Sequence, residues 1–160
     1  MDENVDLGPL SSEAGRAKIA DQVERSVAAG AKLLTGGQTL GNRGYFYAPT
    51  VLAEIPENAP AYAEETFGPV ASLYRVGGID EAIALANSSP YGLAASVWTT
   101  HEEERRRFIR DLESGSVFVN SMVASDPRLP FGGVKRSGYG RELSEIGIRE
   151  FVNVKTVSVA

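Results

Sequence analysis

The feature that most constrains the fold is an alternation of helix and strand patterns through the first 120 residues. Between residues 12 and 29, apolar residues recur every four positions among charged neighbours, at Ile19, Val23 and Val27, as is typical of an amphipathic helix. Strand and helix patterns then follow in turn. Because strands joined through helices tend to pair in parallel, the alternation predicts an α/β fold with a largely parallel sheet covered on both faces, a three-layer arrangement. Ligands are expected beyond the carboxyl ends of the strands.

The predicted elements are short and separated by turn residues. Asp80 is the candidate N-cap of one helix, and Thr100 with Glu103 forms the capping-box pattern of the next. Strands are predicted over residues 31–35, 45–52, 70–76, 93–99 and 116–120, and helices over residues 12–29, 80–86, 100–114 and 141–151.

Length and charge limit the partners that this chain can have. Its 160 residues, 42% of them hydrophobic, are enough to fill one ordinary core. A net charge of −5 disfavours nucleic acid, and the basic residues are scattered apart from Arg105–Arg107. No apolar run approaches the roughly 18 residues that cross a bilayer, and the first residues are acidic, unlike a signal peptide. We expect a cytoplasmic protein with neither a nucleic-acid nor a membrane partner.

The chain carries no cysteine, which excludes disulfides and thiolate metal sites. A hydrolytic triad needs a histidine beside its nucleophile, and the only histidine, His101, lies at the start of an acidic helix pattern. There is no calcium-loop pattern and no histidine pair. The sequence therefore predicts no catalytic residue and no metal site within this chain.

The chain begins with "MDENVDLGPLSS", which has no apolar element before the first helix pattern. Such a stretch is compatible with a truncated polypeptide and equally with a native domain whose first residues fray.

A long loop with unusual composition is predicted over residues 121–140, which hold two prolines near the middle and several glycines. Loops of this length inside a compact domain tend to be functional, so this is a candidate site. Gly133–Gly138 has P-loop spacing, but Tyr139 stands where that motif needs lysine. Without a dinucleotide fingerprint either, the glycines by themselves predict a tight loop with permissive backbone angles. The last residues, 152–160, are strand-like and must pair with an earlier strand or with another chain.

Five stretches together carry a resemblance that composition does not supply. They are "EETFGPV" (64–70), "NSSPYGLAASVWT" (87–99), "SGSVFVN" (114–120), "LPFGGVKRSGYGRE" (129–142) and "EFVNVKTVSV" (150–159). In order and spacing they resemble the C-terminal part of an aldehyde dehydrogenase, and the stretch around residues 124–143 is most similar to the succinate-semialdehyde dehydrogenase branch of that family. The resemblance implies residues 1–150 as part of the catalytic domain and residues 151–160 as a C-terminal oligomerisation strand.

The resemblance assigns a cofactor role to the first stretch. In this family the second glutamate of the motif, here Glu65, accepts hydrogen bonds from the nicotinamide ribose hydroxyls of NAD or NADP, a task that suits the two oxygens of a carboxylate. Phe67 matches the aromatic residue packed near the nicotinamide. From the residues alone, Phe67 is instead expected to be a core side chain at the start of a strand. Glu64 has no assigned role.

The resemblance also assigns a substrate pocket to the second loop. Ser125 matches a position that lines the aldehyde pocket, where a hydroxyl suits a substrate that carries a carboxylate. Phe131 matches an aromatic of the pocket wall. Arg128 is a further candidate for binding the carboxylate, but no family position matches it, and an exposed loop arginine is the simpler interpretation.

The family mechanism uses a cysteine thiolate, and this chain has none. The resemblance therefore implies a fragment of an NAD- or NADP-dependent enzyme that oxidises a small-molecule aldehyde, with the fragment inactive alone and binding cofactor weakly or not at all. The last strand implies a homo-oligomer. The alternative is a stand-alone interaction module that keeps the fold, has lost the chemistry and associates through that strand.

Overall fold

The computed structural model describes residues 6–41 and 43–160. The chain divides into two compact units, with the boundary between Arg75 and Val76, and each unit is described by itself. Expectations that concern the first five residues lie outside the described part of the chain.

The first unit contains two helices and three strands. In chain order they are α1 (Glu13–Ala28), β1 (Lys32–Thr35), β2 (Thr50–Ala53), α2 (Pro60–Ala63) and β3 (Val70–Leu73). Helix α1 begins where predicted, because the Ser12 hydroxyl accepts a hydrogen bond from the Gly15 backbone N–H at 3.1 Å. It ends before Gly30, which has a positive φ of 115°. Glycine adopts such an angle readily because it has no side chain.

The three strands form one mixed sheet in the order β1-β2-β3. Strands β1 and β2 run antiparallel, with Leu33 opposite Leu52, and β2 and β3 run parallel, with Leu52 opposite Ser72. The strand predicted over 45–52 is shorter than expected and begins at Thr50. Pro49 directly precedes it, and proline has no N–H for a ladder hydrogen bond.

Helix α1 packs on this sheet through a face that is partly polar. Its buried residues are Ile19, Gln22, Val23 and Ser26, while Val27, which the predicted apolar stripe includes, is 39% exposed. The stripe is therefore rotated toward two polar residues that the pattern did not select. The core residues of this unit are Ile19, Val23, Ala31, Tyr47, Leu52, Ile55, Ala59 and Ala61.

The second unit holds the remaining helices and strands. They are α3 (Ile79–Ser88), β4 (Tyr91–Gly92), β5 (Ala94–Val97), α4 (Glu102–Asp111), β6 (Ser116–Val119), β7 (Val134–Lys135) and α5 (Ser144–Arg149). Strands β5 and β6 pair in parallel, with Val97 opposite Val119, and β4 pairs antiparallel with β7.

The α/β class is confirmed, but the single largely parallel sheet is wrong for the described residues, which form two parallel and two antiparallel strand pairs in three small sheets. The connections explain the difference. The two parallel pairs are those whose strands are joined through a helix, α2 between β2 and β3 and α4 between β5 and β6. Between β1 and β2 the chain returns without a helix, as antiparallel strands can.

Both predicted caps of the second unit are wrong. Gly78 is the N-cap of α3, and Asp80 instead accepts a hydrogen bond from Arg107 Nη2 at 2.7 Å. At α4 the hydrogen bonds involve neighbouring residues: the Thr99 hydroxyl accepts from the His101 N–H at 3.1 Å and donates to Glu104. The predicted pair of Thr100 and Glu103 is thus not used: the hydroxyl comes from the residue before Thr100 and the carboxylate from the residue after Glu103.

Residues 153–160 form no strand within this chain and are exposed throughout. The apolar members Val154, Val157 and Val159 are 85%, 74% and 89% exposed. The predicted pairing of this segment with an earlier strand of the same chain is therefore absent from the described residues. In the part of the chain that the structure describes, no helix is long and apolar enough to cross a membrane.

Candidate functional site

The Glu64–Gly68 turn connects α2 to β3 and carries both residues of the expected cofactor site. Helix α2 ends because Glu64 has extended backbone angles, with φ −98° and ψ 148°. Two tight hydrogen bonds then shape the turn, from the Gly68 N–H to Thr66 O at 2.9 Å and from the Val70 N–H to Gly68 O at 2.8 Å. Glu65 is exposed and Phe67 is 80% exposed.

The turn is anchored from below by the buried amide of Gln22 in α1. Gln22 Nε2 donates to Glu64 Oε2 at 2.8 Å and to the Glu65 backbone oxygen at 3.3 Å. Gln22 is only 1% exposed, so the donor end of these part-buried hydrogen bonds is shielded from water, whereas both glutamates are exposed. The conformation of both glutamates is thus tied to the buried face of a helix 42 residues away in sequence.

A second buried side chain of α1 holds the helix that leads into the turn. The Ser26 hydroxyl donates to the Gln22 backbone oxygen at 2.6 Å and accepts from the Ala61 N–H at 3.0 Å. Ser26 is fully buried, and Ala61 belongs to α2. The orphan N–H groups at a helix start need acceptors, and this hydroxyl supplies one.

Close packing fixes the far side of the turn. A Cβ added at Gly68 would lie 2.9 Å from Ile19 Cγ1 and 3.2 Å from Leu10 Cδ2. Because Ile19 is 1% exposed and surrounded by the core, it has little room to move away. Glycine at position 68 therefore lets the turn lie directly on α1.

The exposed side of the turn forms one wall of a groove of about 700 Å³. Lys18 and Gly15 of α1 line the same groove as Glu65 and Phe67. The full set of lining residues is Pro9, Leu10, Ser11, Gly15, Lys18, Ile19, Glu65, Thr66, Phe67 and Gly68. A carboxylate that accepts hydrogen bonds, an exposed aromatic face and a cation fit the ribose, the nicotinamide ring and the anionic charge of a dinucleotide.

The Ser121–Pro130 loop carries the expected substrate residue Ser125, which is exposed. Next to it, Asp126 and Arg128 form a local pair. The Asp126 carboxylate accepts from the Arg128 backbone N–H at 2.9 Å and from Arg128 Nη2 at 2.6 Å. The guanidinium of Arg128 is therefore engaged within the loop, which argues against its use as a second carboxylate ligand.

The charge of this pair is reflected in its titration. The side-chain hydrogen bond from Arg128, reinforced by the backbone N–H of Arg128, lowers the pKa of Asp126 below its ordinary value. The same hydrogen bond raises the pKa of Arg128. Both groups are charged at neutral pH, so the loop beside Ser125 is held by an exposed ion pair.

Phe131 follows the loop and is fixed by backbone pairing with Glu142. The Phe131 N–H donates to Glu142 O at 2.9 Å, and the Glu142 N–H donates back to Phe131 O at 2.8 Å. Phe131 lines a groove of about 410 Å³ together with residues 132–133 and 137–140, which include four glycines, and with Arg141 and Glu150. Ser125 is not among the lining residues of this groove. The structure therefore gives Phe131 a wall position but does not bring Ser125 into the same groove.

Sequence reasoning missed the groups that hold the cofactor turn. Gln22 and Ser26 occur four positions apart on the same side of the α1 pattern as Ile19 and were passed over as polar. Their spacing on an otherwise apolar helix face was the available indication, since buried polar groups need partners. Lys18, which lines the groove, carried no motif that would have distinguished it from a solvated lysine.

The comparison with known proteins decides the family. The model of the aldehyde dehydrogenase family matches residues 1–157. The chain belongs to the aldehyde dehydrogenase family. Its α/β fold with mixed sheets agrees with the solved structures of that family, which superpose on the chain closely.

Two curated relatives and one solved structure show which members of the family this chain is similar to. The chain is 54% identical over 159 residues to a succinate-semialdehyde dehydrogenase [NADP(+)] 1 of Mycobacterium tuberculosis, covering 99% of this chain and 35% of the relative. It is 54% identical over 155 residues to a probable succinate-semialdehyde dehydrogenase [NADP(+)] of Synechocystis, covering 97% and 34%. A succinic semialdehyde dehydrogenase structure from Streptococcus pyogenes, in complex with NADP+, superposes with a TM-score of 0.94 at 41% identity, covering 99% and 35%.

This aldehyde dehydrogenase chain spans about a third of the length of the curated relatives it matches. The narrower expectation, that the chain is the C-terminal part of the enzyme, is not borne out by these matches. Their coverage of 35% states only how much of each relative's length the chain spans. The assignment is accordingly corrected to a segment of an aldehyde dehydrogenase close to the succinate-semialdehyde enzymes. The alternative of a stand-alone interaction module receives no support from the comparisons.

Proposed function

We propose that this chain is the part of an NADP-dependent succinate-semialdehyde dehydrogenase that orients the nicotinamide ribose and contributes to the aldehyde pocket. The observation that supports the proposal most strongly is the Glu64–Gly68 turn, in which an exposed carboxylate and an exposed aromatic ring are presented on a buried anchor. The curated relatives carry NADP(+) in their names, which favours NADP over NAD.

The proposed chemistry is the oxidation of succinic semialdehyde to succinate. Bound NADP+ would accept the hydride, and water would supply the oxygen of the new carboxylate. Within this chain, Glu65 would accept hydrogen bonds from the ribose hydroxyls and thereby set the orientation of the nicotinamide. Phe67 would pack against the nicotinamide and limit the access of water to it.

The substrate side of the proposal rests on Ser125. Its hydroxyl can donate a hydrogen bond to the carboxylate of succinic semialdehyde. Phe131 is left out of this role because it lines a groove to which Ser125 does not contribute. Arg128 is left out of this role because Asp126 already occupies its guanidinium.

The nucleophile of the reaction lies outside this chain, which has no cysteine. We therefore expect the purified 160-residue chain to be inactive. Absorbance of NADPH with succinic semialdehyde as substrate would check this, and a rate that scales with the amount of pure chain would contradict it.

The decisive experiment uses an assembled enzyme, defined as the complete M. tuberculosis relative in which this chain replaces the segment it matches. Glu65→Gln should raise the KM for NADP+ by about 10-fold or more, because a neutral amide is a weaker acceptor for the ribose hydroxyls. An unchanged KM would remove the cofactor role.

Ser125 is tested in the same assembled enzyme with two aldehydes. Ser125→Ala should raise the KM for succinic semialdehyde by about 10- to 100-fold, the loss expected for a hydrogen bond to a charged group. Butanal, which has the same chain length and no carboxylate, should be oxidised as well as before. Equal effects on both aldehydes would mean that Ser125 does not bind the carboxylate.

We further propose that residues 152–159 pair with another copy of the chain. The support is that four valines in this segment, at positions 152, 154, 157 and 159, are exposed and have no strand partner in the described chain. Sedimentation of the purified chain should show association that disappears with Val154→Lys/Val157→Lys. A strict monomer at high concentration would contradict the pairing.

A further inference from the structure

We propose that Gln22 and Glu64 form a positioning pair that orients Glu65 toward the cofactor. The inference rests on the proposed function of Glu65 and extends it by giving a role to Glu64, to which the family resemblance assigns none. Neither Gln22 nor Glu64 is expected to touch the cofactor.

The direction of the Gln22 amide is fixed by its two acceptors. Glu64 Oε2 and the Glu65 backbone oxygen both accept hydrogen bonds, so only the nitrogen of the amide can face them. The other end, Gln22 Oε1, is buried and has no hydrogen-bond partner among the described residues. Leaving the Oε1 atom of a side chain that is only 1% exposed without a hydrogen bond is costly. The cost is understandable if the Nε2 end is needed to hold the turn.

The backbone of the turn converts these contacts into a direction for Glu65. Glu64 has extended backbone angles, and successive side chains along an extended segment point to opposite sides. Because the Glu64 side chain is held on Gln22, the Glu65 side chain faces the groove that it lines. The second contact, to the Glu65 carbonyl, restricts rotation of the peptide that follows.

A neutral amide suits this position better than a cation would. A lysine or arginine under the turn would place a positive charge near Glu65 and compete with the ribose hydroxyls for its carboxylate. Burying an ammonium group at this depth would also require full compensation of its lost hydration. Glutamine supplies donors to the turn and leaves the Glu65 carboxylate free to accept from a ligand.

The test measures nucleotide and aldehyde kinetics separately in the assembled enzyme. Gln22→Met removes the donor at nearly constant volume, and Glu64→Ala removes the acceptor at an exposed position where folding is not at risk. Both should raise the KM for NADP+ between about 5- and 100-fold, as a small misplacement of an orienting group can. The KM for succinic semialdehyde should stay within about twofold in both variants, which a general loss of structure would not produce.

Two further variants separate positioning from stability. Glu64→Gln keeps an acceptor for Gln22 Nε2, so its KM for NADP+ should be near that of the unmodified enzyme. Thr50→Val is the matched structural control, because Thr50 is 2% exposed and its hydroxyl, the group removed, bonds to Ala48 and Gly37, neither of which belongs to the turn. It should lower the melting temperature and leave the KM for NADP+ unchanged.

Each outcome bears on a different claim. If Glu65→Gln raises the KM for NADP+ while Gln22→Met and Glu64→Ala leave it unchanged, the positioning pair is overturned and the proposed function stands. If Glu65→Gln itself has no effect, the proposed function fails and the positioning role fails with it. A rise in the Thr50→Val control equal to that of Gln22→Met would also overturn the pair, since the effect would then follow stability alone.

Discussion

The Glu64–Gly68 turn and the Ser121–Pro130 loop are both expected to contact a ligand, yet they are held by different means. The turn is held by hydrogen bonds to two buried side chains of α1. The Gln22 amide bonds to the turn itself, and the Ser26 hydroxyl bonds to α2, which leads into the turn. The loop is held beside Ser125 by Asp126 and Arg128, which are two residues apart, and Arg128 is 86% exposed. The cofactor-facing turn is thus exposed itself but anchored to buried side chains of its unit, whereas the substrate-facing loop is set by local contacts in water.

The two kinds of support predict that the turn keeps its geometry more precisely than the loop does. Buried polar side chains keep their geometry, because moving them would break hydrogen bonds that water cannot replace and would cost free energy. An exposed ion pair is screened by salt and contributes little to stability. The turn should therefore be rigid and sensitive to core substitutions, and the loop should be adaptable and sensitive to pH and salt.

The largest expected effect comes from removing the packing under the turn. Ile19→Ala should lower the free energy of unfolding by about 2–5 kcal/mol, because it opens a cavity at a residue that is 1% exposed. Urea unfolding followed by circular dichroism would measure it. The matched control is Ile109→Ala in α4, where the isoleucine is 54% exposed and a change within about 0.5 kcal/mol is expected. Equal losses at both positions would remove the contrast between the regions.

The next effect concerns the buried hydroxyl of Ser26. Ser26→Ala should cost about 1–3 kcal/mol, since the buried Ala61 N–H would lose its acceptor. Ser121→Ala is the corresponding change in the loop, where the hydroxyl is exposed and makes only one long contact, 3.5 Å to Val119 O. We expect it to be within about 0.5 kcal/mol of the unmodified chain. A Ser26→Ala chain as stable as Ser121→Ala would mean that water replaces the lost acceptor.

These contrasts also separate what could be predicted from the sequence from what could not. Helix α1 and the strand at Ser116–Val119 depend on neighbouring residues, and local patterns predicted them. The contact from Gln22 to Glu64 joins residues 42 positions apart, and no local pattern records it. Both glutamates are visible as a motif in the sequence and both are exposed, but the fold was needed to show that Glu64 accepts a hydrogen bond from Gln22 while Glu65 lines the groove.

The error at the start of α4 has a similar physical origin. Thr100 and Glu103 have the three-residue spacing of a capping box, whereas Thr99 and Glu104, whose side chains hydrogen-bond in the fold, are five residues apart and match no such pattern. The N-cap is His101, so both threonines precede the helix, and spacing alone did not locate its start. Similarly, the strand-like composition of residues 152–160 predicts a tendency to pair but not whether a partner lies within the chain.

A smaller effect is expected at the exposed pair of the loop, and it depends on pH. The pKa of Asp126 is lowered in the folded chain, so the contact with Arg128 is present above the ordinary aspartate pKa and is lost as pH falls through the lowered value. The Arg128 amide resonance should therefore shift in acid, and high salt should weaken the contact. Asp126→Asn should abolish the titration of the Arg128 amide resonance. The amide resonances of the Glu64–Gly68 turn should be the same in Asp126→Asn as in the unmodified chain. A titration that persists in Asp126→Asn would assign it to another group.

The smallest effect on stability is expected at Phe67, where the two interpretations of the residue diverge most. A core phenylalanine replaced by alanine would cost about 3–5 kcal/mol. Because the ring is 80% exposed, we expect Phe67→Ala to change the free energy of unfolding by less than about 0.5 kcal/mol. In the assembled enzyme the same variant should still raise the KM for NADP+. A large loss of stability would return Phe67 to the core, whereas a silent variant in both assays would leave the exposed ring without a ligand and restrict the cofactor site to Glu65.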